Sequence, residues 1–547
     1  MKKKSLLLVL LSAVMLVLAA CGFGGKDKDE SGGKDSDNGK DSNEQLNLVI
    51  PSEPPSLNPQ KATDSTSGAI LRSVFEGLTR VDKDGNVQPA AAEKIDVSDD
   101  KLTYTFTLRD SKWSNGDTVT AGDFKYAWMY ALDPKNASEY ASILYPIKGA
   151  QAFNEGKGKD SDVGITVKDD KTLVVKLENP TPYFTEITAF YTAMPVNEKE
   201  AKKNAKWSAE GGKGYVSNGP FTLSDWKHSD SITLKKNDSY WDKENVTLST
   251  VGIKMVESEA TANRMFKSGD IDFLGSPFQT VPLDAIDGYK KDKSLKIEDY
   301  AAIYEYKFNT KGKFTKNENI RKALTLSIDR QGLIDNVVKG EQTPALGMVP
   351  KAIKGFETDR GYIKDNDVEG AKKALAEGMK ELGIKDAKDI TIGISINTSE
   401  AHAAIAQYIQ EGWTKNLGIN VKIDNAEWQV YLDKISSLDY DVGRLGWIAD
   451  YNDPYTFLER YDTAKNGNND TGWENKEYKS LMTQATKETD EAKREEIMKK
   501  AEKILMTEFP VAPIYYYTNL WVEKDYVKDM APNHLGEISL KDVKIEK

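Results

Sequence analysis

The sequence is poor in the residues that build disulfides and metal sites: its 547 residues include one cysteine, Cys21, and three histidines. A single cysteine excludes an internal disulfide bond and every metal site that needs several thiolates. The histidines, His228, His402 and His534, lie far apart and form no H-E-x-x-H pattern, which argues against zinc or nickel bound by imidazole rings. We therefore expect no metal and no cofactor.

Basic clusters and long apolar runs are also lacking. The net charge is −11, and beyond the lysines at positions 2–4 no group of Lys and Arg stands apart from neighbouring acids, so a nucleic-acid partner is not expected. An apolar run at residues 5–20 is too short to span a membrane comfortably. With 39% hydrophobic and 29% charged residues, the composition is that of a soluble globular protein, and the length allows two or three domains.

The amino terminus has the features of a secretory signal. Lysines at positions 2–4 precede the apolar run, which ends in Leu-Ala-Ala followed by Cys21. This ending resembles the lipobox of bacterial lipoproteins, and the resemblance implies that residues 1–20 are removed and that Cys21 is acylated. Several acyl chains anchor a protein stably, so we expect a lipid anchor on the extracytoplasmic face of the cell membrane, of the Gram-positive type. The alternative is a plain signal or transmembrane anchor with an incidental cysteine.

Downstream of Cys21 the chain is polar up to residue 45, and residues 21–45 are expected to form a lipidated, flexible tether. Hydrophobic periodicity then predicts strands at 46–50, 102–108, 390–396, 421–423 and 510–518, a hairpin at 163–167 and 173–177, and helices at 68–75, 320–338, 367–382, 401–416 and 430–436, with a further helix beginning at residue 121. Strands that alternate with helices of 10 to 15 residues indicate an α/β protein with much parallel sheet.

Residues 439–454 are the most informative stretch of the chain. An alternating run ends at Gly446 and gives way to aromatic and acidic residues. The ends of strands are common ligand sites in α/β proteins, Trp447 offers an apolar face, and Arg444 and Asp450 carry opposite charges a few residues apart. The stretch has the chemistry to hold a zwitterionic ligand. The alternative is a strand, an internal ion pair and a turn at residues 452–454.

Several motifs resemble those of the extracellular solute-binding proteins of peptide ABC importers, the oligopeptide-binding lipoproteins above all. The motifs lie, in order, at residues 75–79, 102–110, 113–124, 218–221, 237–241, 266–273, 320–330 and 348–350, and the resemblance covers residues 46–547. It implies a periplasmic-binding-protein-like class II (Venus flytrap) α/β fold: two lobes with an extra family-specific domain. Lobe 1 takes residues 46–66, 190–298 and 519–547, the extra domain 67–189, and lobe 2 299–518.

The resemblance also implies a set of ligand-binding residues. Asp450 is expected to bind the α-amino group of a peptide, with Gly446, Trp447 and Trp428 beside it, and Arg444 and His402 are expected to meet its carboxylate. Tyr517, Glu53, Tyr306 and Tyr140 match positions that line the cleft. Two of these residues have alternative roles that involve no ligand: Arg444 could form an ion pair with Asp441 or Glu427, and His402 could be a solvated residue at the start of a helix.

The function implied is that of a monomeric receptor, not an enzyme, that delivers short peptides to an ABC permease with cytoplasmic ATPases. A receptor for signalling peptides or dipeptides is the alternative within the family. A secreted hydrolase is disfavoured because the sequence has no G-x-S-x-G motif and no cysteine beyond Cys21. A surface adhesin is a third alternative. Residues 82–86 resemble part of a calcium loop, but a hairpin turn is the better interpretation.

Overall fold

The computed structural model describes residues 44–353, 355–357 and 359–547. The predicted signal sequence, Cys21 and all but the last two residues of the predicted tether therefore lie outside the described residues. Within the described part of the chain, no helix has the length and apolar character needed to cross a membrane.

A first sheet joins the start of the described chain to a later segment. Its strands lie in the order Gln45–Ile50, Thr250–Met255, Ser231–Lys236 and Phe221–Lys227, with the first pair parallel and the others antiparallel. Leu46, Leu48 and Ile50 alternate along the first strand and are buried, which fixes the face that this strand presents to the core.

A second, antiparallel sheet is built from residues 92–176. Its strands lie in the order Ala92–Val97, Thr103–Leu108, Thr172–Lys176 and Ile165–Asp169. The helix Ala121–Leu132 has Phe124 and Trp128 fully buried, as their spacing of four residues predicts. The strands Thr79–Val81 and Val87–Pro89 form a hairpin, so residues 82–86 are its turn.

Among the described residues, the central sheet has seven strands, and most of its pairings are antiparallel. The order is Phe273–Gly275, Val511–Glu523, Lys296–Phe308, Val442–Ile448, Thr391–Asn397 and Asn420–Ala426, with Thr343–Pro344 also paired to Val511–Glu523. Only the last two pairings in that order are parallel. The expectation of much parallel sheet was therefore wrong for most of this sheet, because the long strand Lys296–Phe308 runs antiparallel to both of its neighbours.

The two longest strands of the central sheet, Lys296–Phe308 and Val511–Glu523, have thirteen residues each and lie next to each other. They are antiparallel, and their register shifts between Asp299 and Ile303. The predicted boundaries between the lobes lie opposite each other on this strand pair, since Glu298 pairs with Asn519. The domain boundaries themselves stay a prediction.

The α-helices of the described residues are Ser65–Val74, Ala121–Leu132, Ala150–Asn154, Phe184–Ile187, Glu198–Lys203, Glu259–Ser268, Ile286–Lys291, Glu318–Leu326, Arg330–Leu333, Val368–Leu382, Glu400–Leu417, Trp428–Ser436, Tyr455–Leu458, Lys476–Ala485 and Glu491–Glu508. The single helix predicted at 320–338 is wrong: it is interrupted after Leu326. Asp329 accepts a hydrogen bond from the Gly332 N–H at 3.0 Å and so caps a new helix.

Large aromatic and charged side chains share the core. Trp113, Trp128 and Trp413 are completely buried. Glu305 and Arg460 form a fully buried bidentate pair, with oxygen–nitrogen distances of 2.7 and 3.2 Å. This pair ties the strand Lys296–Phe308 to the segment just beyond the Asp450 loop.

Candidate functional site

A large cavity lies between the first sheet, the central sheet and the segment that contains Tyr140. Its volume is about 1490 Å³, above the roughly 300–1,000 Å³ of a drug-sized site. Nine of the ten predicted binding residues line it, namely Glu53, Tyr140, His402, Trp428, Arg444, Gly446, Trp447, Asp450 and Tyr517. The fold therefore brings together predicted residues that are up to 464 positions apart in the chain, from Glu53 to Tyr517.

Asp450 is a half-buried carboxyl group with no cationic partner within ion-pair distance among the described residues. One residue, Ala449, separates it from the end of the strand Val442–Ile448, and the Ala449 N–H donates to the Ala301 carbonyl. The Oδ1 atom of Asp450 accepts a hydrogen bond from the Tyr140 hydroxyl at 3.3 Å. Burial raises the pKa of Asp450 to about 7, which the charges of Arg72 and Arg460 only partly offset. The site is prepared for a cation that it does not itself contain.

Trp447 is held rigidly between two side chains. Its ring lies parallel to that of Tyr140, with centroids 6.1 Å apart, and the Arg460 guanidinium lies 4.3 Å from the ring centroid. Its indole N–H donates to Thr456 Oγ1 at 3.1 Å. Because Arg460 is itself fixed by Glu305, the wall of the cavity beside Asp450 is preorganised.

Arg444 presents a positive charge to the other part of the cavity. Its guanidinium donates to the Tyr517 hydroxyl at 2.7 Å and to Asn397 Oδ1 at 3.3 Å, and it lies 4.7 Å from the centroid of the Tyr304 ring. Its Nε has no hydrogen-bond partner within the described part of the chain. These neutral partners hold the side chain in place and leave its charge available to an anion.

The alternative interpretation of Arg444, an internal ion pair, is not what the structure shows. Asp441 accepts a hydrogen bond from the Gly393 N–H at 3.0 Å, and Glu427 caps its own helix through the Gln429 N–H at 3.0 Å. Both carboxylates are thus engaged with backbone groups.

His402 lines the cavity, and its contact with a ligand carboxylate stays a prediction. Burial, together with the nearby charge of Arg444, holds the pKa of His402 well below its usual value, so the ring is neutral at pH 7. Its Nδ1 lies 3.4 Å from the Tyr304 hydroxyl. His402 is therefore a neutral hydrogen-bonding group in this structure, and the adjacent Arg444 supplies positive charge to this part of the cavity.

The strand Val442–Ile448 has a free edge that faces the cavity. One edge pairs with Lys296–Phe308 along its full length, whereas the neighbour on the other side, Thr391–Asn397, pairs only at positions 442 and 443. Residues 444–450 all line the cavity. An unpaired strand edge offers a row of backbone donors and acceptors to an extended chain.

Two hydrogen bonds show which backbone groups point to this free edge. The Ala449 N–H donates to the Ala301 carbonyl of the paired strand at 2.9 Å, and the Arg444 carbonyl accepts from the Tyr431 hydroxyl on the other side at 2.6 Å. Because backbone groups alternate between the two edges of a strand, the N–H and C=O groups of Gly446 and Ile448 point into the cavity.

The lack of a side chain at Gly446 leaves room for Tyr517 as well as for the cavity. A Cβ at this position would lie 3.2 Å from both the Tyr517 hydroxyl and the Ile303 carbonyl oxygen. Both distances are tighter than ordinary contact, so a side chain would displace Tyr517 and, through it, Arg444.

Three further predictions have different outcomes. Trp428 lines the cavity and stacks on Tyr431, with ring centroids 6.2 Å apart. Glu53 lies at the rim, where its Oε1 is 2.7 Å from His228 Nδ1 and its Oε2 accepts from the Ser229 N–H at 2.6 Å. Tyr306 does not line the cavity.

The placement of Tyr306 in the cleft was wrong because its side chain packs in the core. Its ring is completely buried and meets Trp413 edge-on at 6.4 Å. Tyr306 is the cross-strand partner of Arg444, but its side chain is enclosed by the core and does not reach the cavity.

Sequence reasoning missed Arg72, which lines the same part of the cavity as Asp450. Its Nε lies 2.7 Å from Glu537 Oε1, and its guanidinium lies 5.4 Å from the centroid of the Tyr191 ring. A single sequence has no signal for this contact, because the two charged residues are 465 positions apart. No group of three or more His, Cys, Asp or Glu side chains in the described part of the chain is arranged to hold a metal ion.

The segments on either side of the cavity are in direct contact. The ring of Tyr183, which adjoins the second sheet, lies parallel to that of Tyr451 with centroids 4.2 Å apart, and the Asn452 N–H donates to Glu186 Oε2 at 2.5 Å. These contacts close the cavity beside Asp450, so the structure represents a closed form.

Comparison with known proteins agrees with this architecture. Residues 86–469 match the family model of bacterial extracellular solute-binding proteins, family 5 (middle). The chain is 52% identical over 541 residues to the oligopeptide-binding protein OppA of Bacillus subtilis (strain 168), covering 98% of each chain. It is similar in structure to Haemophilus influenzae OppA in complex with RPPGFSPFR, with a TM-score of 0.88, 31% identity and coverage of 93% and 100% of the two chains.

Two structures of a third protein bear on the conformation. The murein tripeptide-binding protein MppA of Escherichia coli gives a TM-score of 0.87, with 31% identity and coverage of 92% and 98%. The unliganded open form of MppA gives only 0.62 at the same identity, with coverage of 92% and 97%. The chain therefore differs from that open form, as its closed cavity requires.

The fold and the comparisons confirm the predicted two-lobed α/β solute-binding architecture. Of the relatives named above, OppA of Bacillus subtilis is an oligopeptide-binding protein and MppA of Escherichia coli a murein tripeptide-binding protein. The chain belongs to the bacterial extracellular solute-binding proteins of family 5.

Proposed function

We propose that this protein is an extracytoplasmic receptor that captures short oligopeptides in extended form between its two lobes. The observation that carries the proposal is the free strand edge at residues 444–448, which has an unpaired carboxyl group just beyond one end and an arginine at the other. Asp450 binds the peptide α-ammonium group and Arg444 its carboxylate. The backbone of Gly446 and Ile448 hydrogen-bonds to the main chain, which all peptides share.

The spacing of the two charges favours peptides longer than two residues. Arg444 and Asp450 are six residues apart on an extended segment, a span of roughly 20 Å at most. An extended tetra- or pentapeptide covers about 13–17 Å, and the two side chains reach inward from the ends. A dipeptide covers only about 7 Å and cannot contact both groups, so a dipeptide receptor is the weaker alternative.

The site reads the ends and the main chain of its ligand, whereas its volume leaves room for different side chains. Bridging waters adapt to different side chains at little enthalpic cost. A receptor for one signalling peptide would use the same two ends, and the relative affinities for unrelated peptides of equal length separate the two functions.

The remaining parts of the proposal concern the membrane. The likeness to OppA supports delivery of peptides to an ABC permease with cytoplasmic ATPases. The Leu-Ala-Ala-Cys ending at Cys21 supports anchoring by lipid on the outer face of the cell membrane. We propose that the receptor acts as a monomer, because one chain supplies both lobes and both charged ends of the site.

Native mass spectrometry of the protein purified from cells tests the proposal. The expected result is a set of added masses from short peptides of mixed sequence, which denaturation releases intact. A protein that never carries peptides and binds no free-ended tetra- or pentapeptide in calorimetry contradicts the proposal. Release of cleaved peptides after incubation contradicts the non-enzymatic part.

A further inference from the structure

Two helices at the cavity begin with the same three residues, Ser-Glu-Ala, at positions 258–260 and 399–401. The first helix, Glu259–Ser268, follows the first sheet, and the second, Glu400–Leu417, follows the central sheet. In each, the serine is the N-cap: Ser258 Oγ accepts from the Thr261 N–H and Ser399 Oγ from the His402 N–H, both at 3.2 Å.

The two helix starts are joined reciprocally. Ser258 Oγ donates to Glu400 Oε1 at 2.9 Å, and Ser399 Oγ donates to Glu259 Oε1 at 2.5 Å. Each serine hydroxyl therefore accepts from its own helix and donates to the glutamate that opens the other helix. The partners are 142 and 140 residues apart in the chain, and they lie in different predicted lobes.

Electrostatics explains why a glutamate stands at each helix start. The N-terminus of an α-helix carries a partial positive charge, so two N-termini that approach each other repel. A carboxylate from each helix offsets this repulsion. The Ala401 N–H also lies 3.4 Å from Glu259 Oε1, so that oxygen meets both the cap and the first turn of the opposing helix.

The two halves of this arrangement differ in burial. Glu259 is 2% exposed, whereas Glu400 is exposed to solvent. Hydrogen bonds to a buried carboxylate contribute more than exposed ones, so the Ser399–Glu259 half is the stronger. Glu259 Oε2 has no hydrogen-bond partner among the described residues. Closing the cleft thus desolvates one oxygen without compensation, which keeps the net gain small and the contact reversible.

We propose that the two Ser-Glu-Ala helix starts form a reciprocal latch that holds the lobes closed and slows the release of a bound ligand. This inference rests on the proposed function, since its readout is a peptide. The latch also positions the site: Ser399, fixed by Glu259, caps the helix turn that carries His402. Glu259 and Ser399 are positioning residues, and neither is needed to bind the peptide ends.

The test is a double-mutant cycle with Glu259→Ala, Ser399→Ala and the double variant. Stopped-flow tryptophan fluorescence with penta-alanine reports binding, because Trp428 and Trp447 line the cavity. We expect each single variant to raise the dissociation rate constant about tenfold, with little change in the association rate constant. The double variant should release the peptide no faster than the single variants, because both remove the same contact.

Two further variants separate the latch from helix capping. Ser399→Thr keeps a hydroxyl and is expected to release penta-alanine within about twofold of the wild-type rate. Asp490→Ala removes the cap of the helix Glu491–Glu508, whose N-cap does not line the cavity, and is expected to leave the dissociation rate unchanged.

Additive effects of the two substitutions, or a Glu259→Ala dissociation rate equal to that of the wild type, would overturn the latch. An equal acceleration by Asp490→Ala would also overturn it, because the effect would then be one of general stability. If the wild-type protein does not bind penta-alanine or any other free-ended peptide, the proposed function fails instead.

Discussion

Asp450 is the residue on which the proposed recognition of a free amino end depends most. Its side chain is half-buried, its pKa is raised to about 7, and it accepts a hydrogen bond from the neutral hydroxyl of Tyr140. An ammonium group at 4 Å would attract the ionised carboxylate by ~4 kcal/mol at an effective dielectric constant near 20. In water the same pair contributes little, so the burial that makes the empty site costly also makes the bound pair strong.

Removal of this carboxylate should weaken peptide binding strongly. Asp450→Ala leaves the ligand ammonium buried without a partner, and we expect a loss of about 3 kcal/mol, or more than a hundredfold in Kd, for a free-ended pentapeptide. Calorimetry measures the change. The matched control is the same peptide with an acetylated amino end, which should bind both proteins with similarly low affinity. Equal affinity of variant and wild type for the free-ended peptide would remove Asp450 from the site.

Peptide affinity should depend on pH through the same group. A bound ammonium lowers the pKa of Asp450 from about 7, so binding releases a proton whenever the pH is near or below that value. Affinity is then highest near pH 7.5 and falls by up to about tenfold per unit as the pH decreases to 5. Arg72, Arg460, Glu537 and Tyr140 are the ionisable groups that act on Asp450 most strongly, and Asp450→Asn retains all four. A pH dependence of equal slope in Asp450→Asn would contradict the assignment.

The stability of the peptide-free protein should depend on pH in the opposite direction to peptide affinity. The folded-state pKa of Asp450 is raised above its unfolded value of about 3.8, so the stability gained from the bound proton is complete below pH 3.8. It is lost as the pH rises through 7. Relative to Asp450→Asn, the peptide-free wild type should lose unfolding free energy between pH 4 and pH 7 in urea titrations. A constant difference across this range would contradict the raised pKa.

At the scale of elements, the strands of the central sheet carry the site and the buried charges behind them hold it in place. Glu305 on the strand Lys296–Phe308 binds Arg460, and Arg460 packs on Trp447. Trp447 lies three residues before Asp450. The Glu305–Arg460 ion pair thus supports the part of the cavity wall that lies beside Asp450.

Loss of one partner of this pair should destabilise the fold. Glu305→Ala leaves the Arg460 charge buried and unpaired, and we expect a decrease of about 3–5 kcal/mol in the free energy of unfolding. Chemical denaturation of the peptide-free protein measures it. Asp96→Ala is the control, because Asp96 pairs with Lys94 at the surface and its loss should change stability by no more than about 1 kcal/mol. Similar effects of the two substitutions would contradict the support role.

Most elements could be predicted from local sequence, and the exceptions have local physical reasons. Alternation located the strand Gln45–Ile50, and the apolar period of 3.6 located the helix Val368–Leu382. The period also runs through residues 320–338, but Asp329 caps a new helix there and Arg330 turns into the core to donate to the Pro513 carbonyl at 2.8 Å. Periodicity does not distinguish one helix from two that share a face.

The sequence predicts which residues line the cavity better than it predicts their charge states. His402 lies where expected, but its neutral state depends on burial beside Arg444, which only the folded arrangement establishes. Tyr306 was misplaced because Tyr300, Tyr304 and Tyr306 lie at alternate positions of Lys296–Phe308 and so share one face of the strand. A single sequence does not show which of them reaches the cavity.

At the scale of the whole molecule, closure joins distant segments that no local pattern reveals. Tyr183 lies against Tyr451 at 4.2 Å and Tyr455 at 6.2 Å, and the Arg494 guanidinium lies 5.6 Å from the Tyr183 ring centroid. Tyr183 does not line the cavity. It therefore contributes to binding only through the closed form.

Truncation of this ring should favour the open form. We expect Tyr183→Ala to weaken pentapeptide affinity by about 2 kcal/mol, because the aromatic contacts exist only after closure. Small-angle scattering should show a larger radius of gyration with peptide present than for the wild type. Tyr126→Ala is the control, since Tyr126 pairs with Tyr130 on one helix of the same part of the chain, and it should leave the affinity unchanged. Unaltered affinity in Tyr183→Ala would show that this contact does not stabilise the closed form.

The unpaired edge of Val442–Ile448 has a consequence for the behaviour of the protein in crowded surroundings. On an outer surface such an edge invites strands of other molecules and leads to aggregation. Here it lies inside a cavity that closes, so a neighbouring folded protein is too bulky to reach it. Enclosure by the lobes thus protects the protein from unwanted self-association while the edge remains available to a small, free-ended chain.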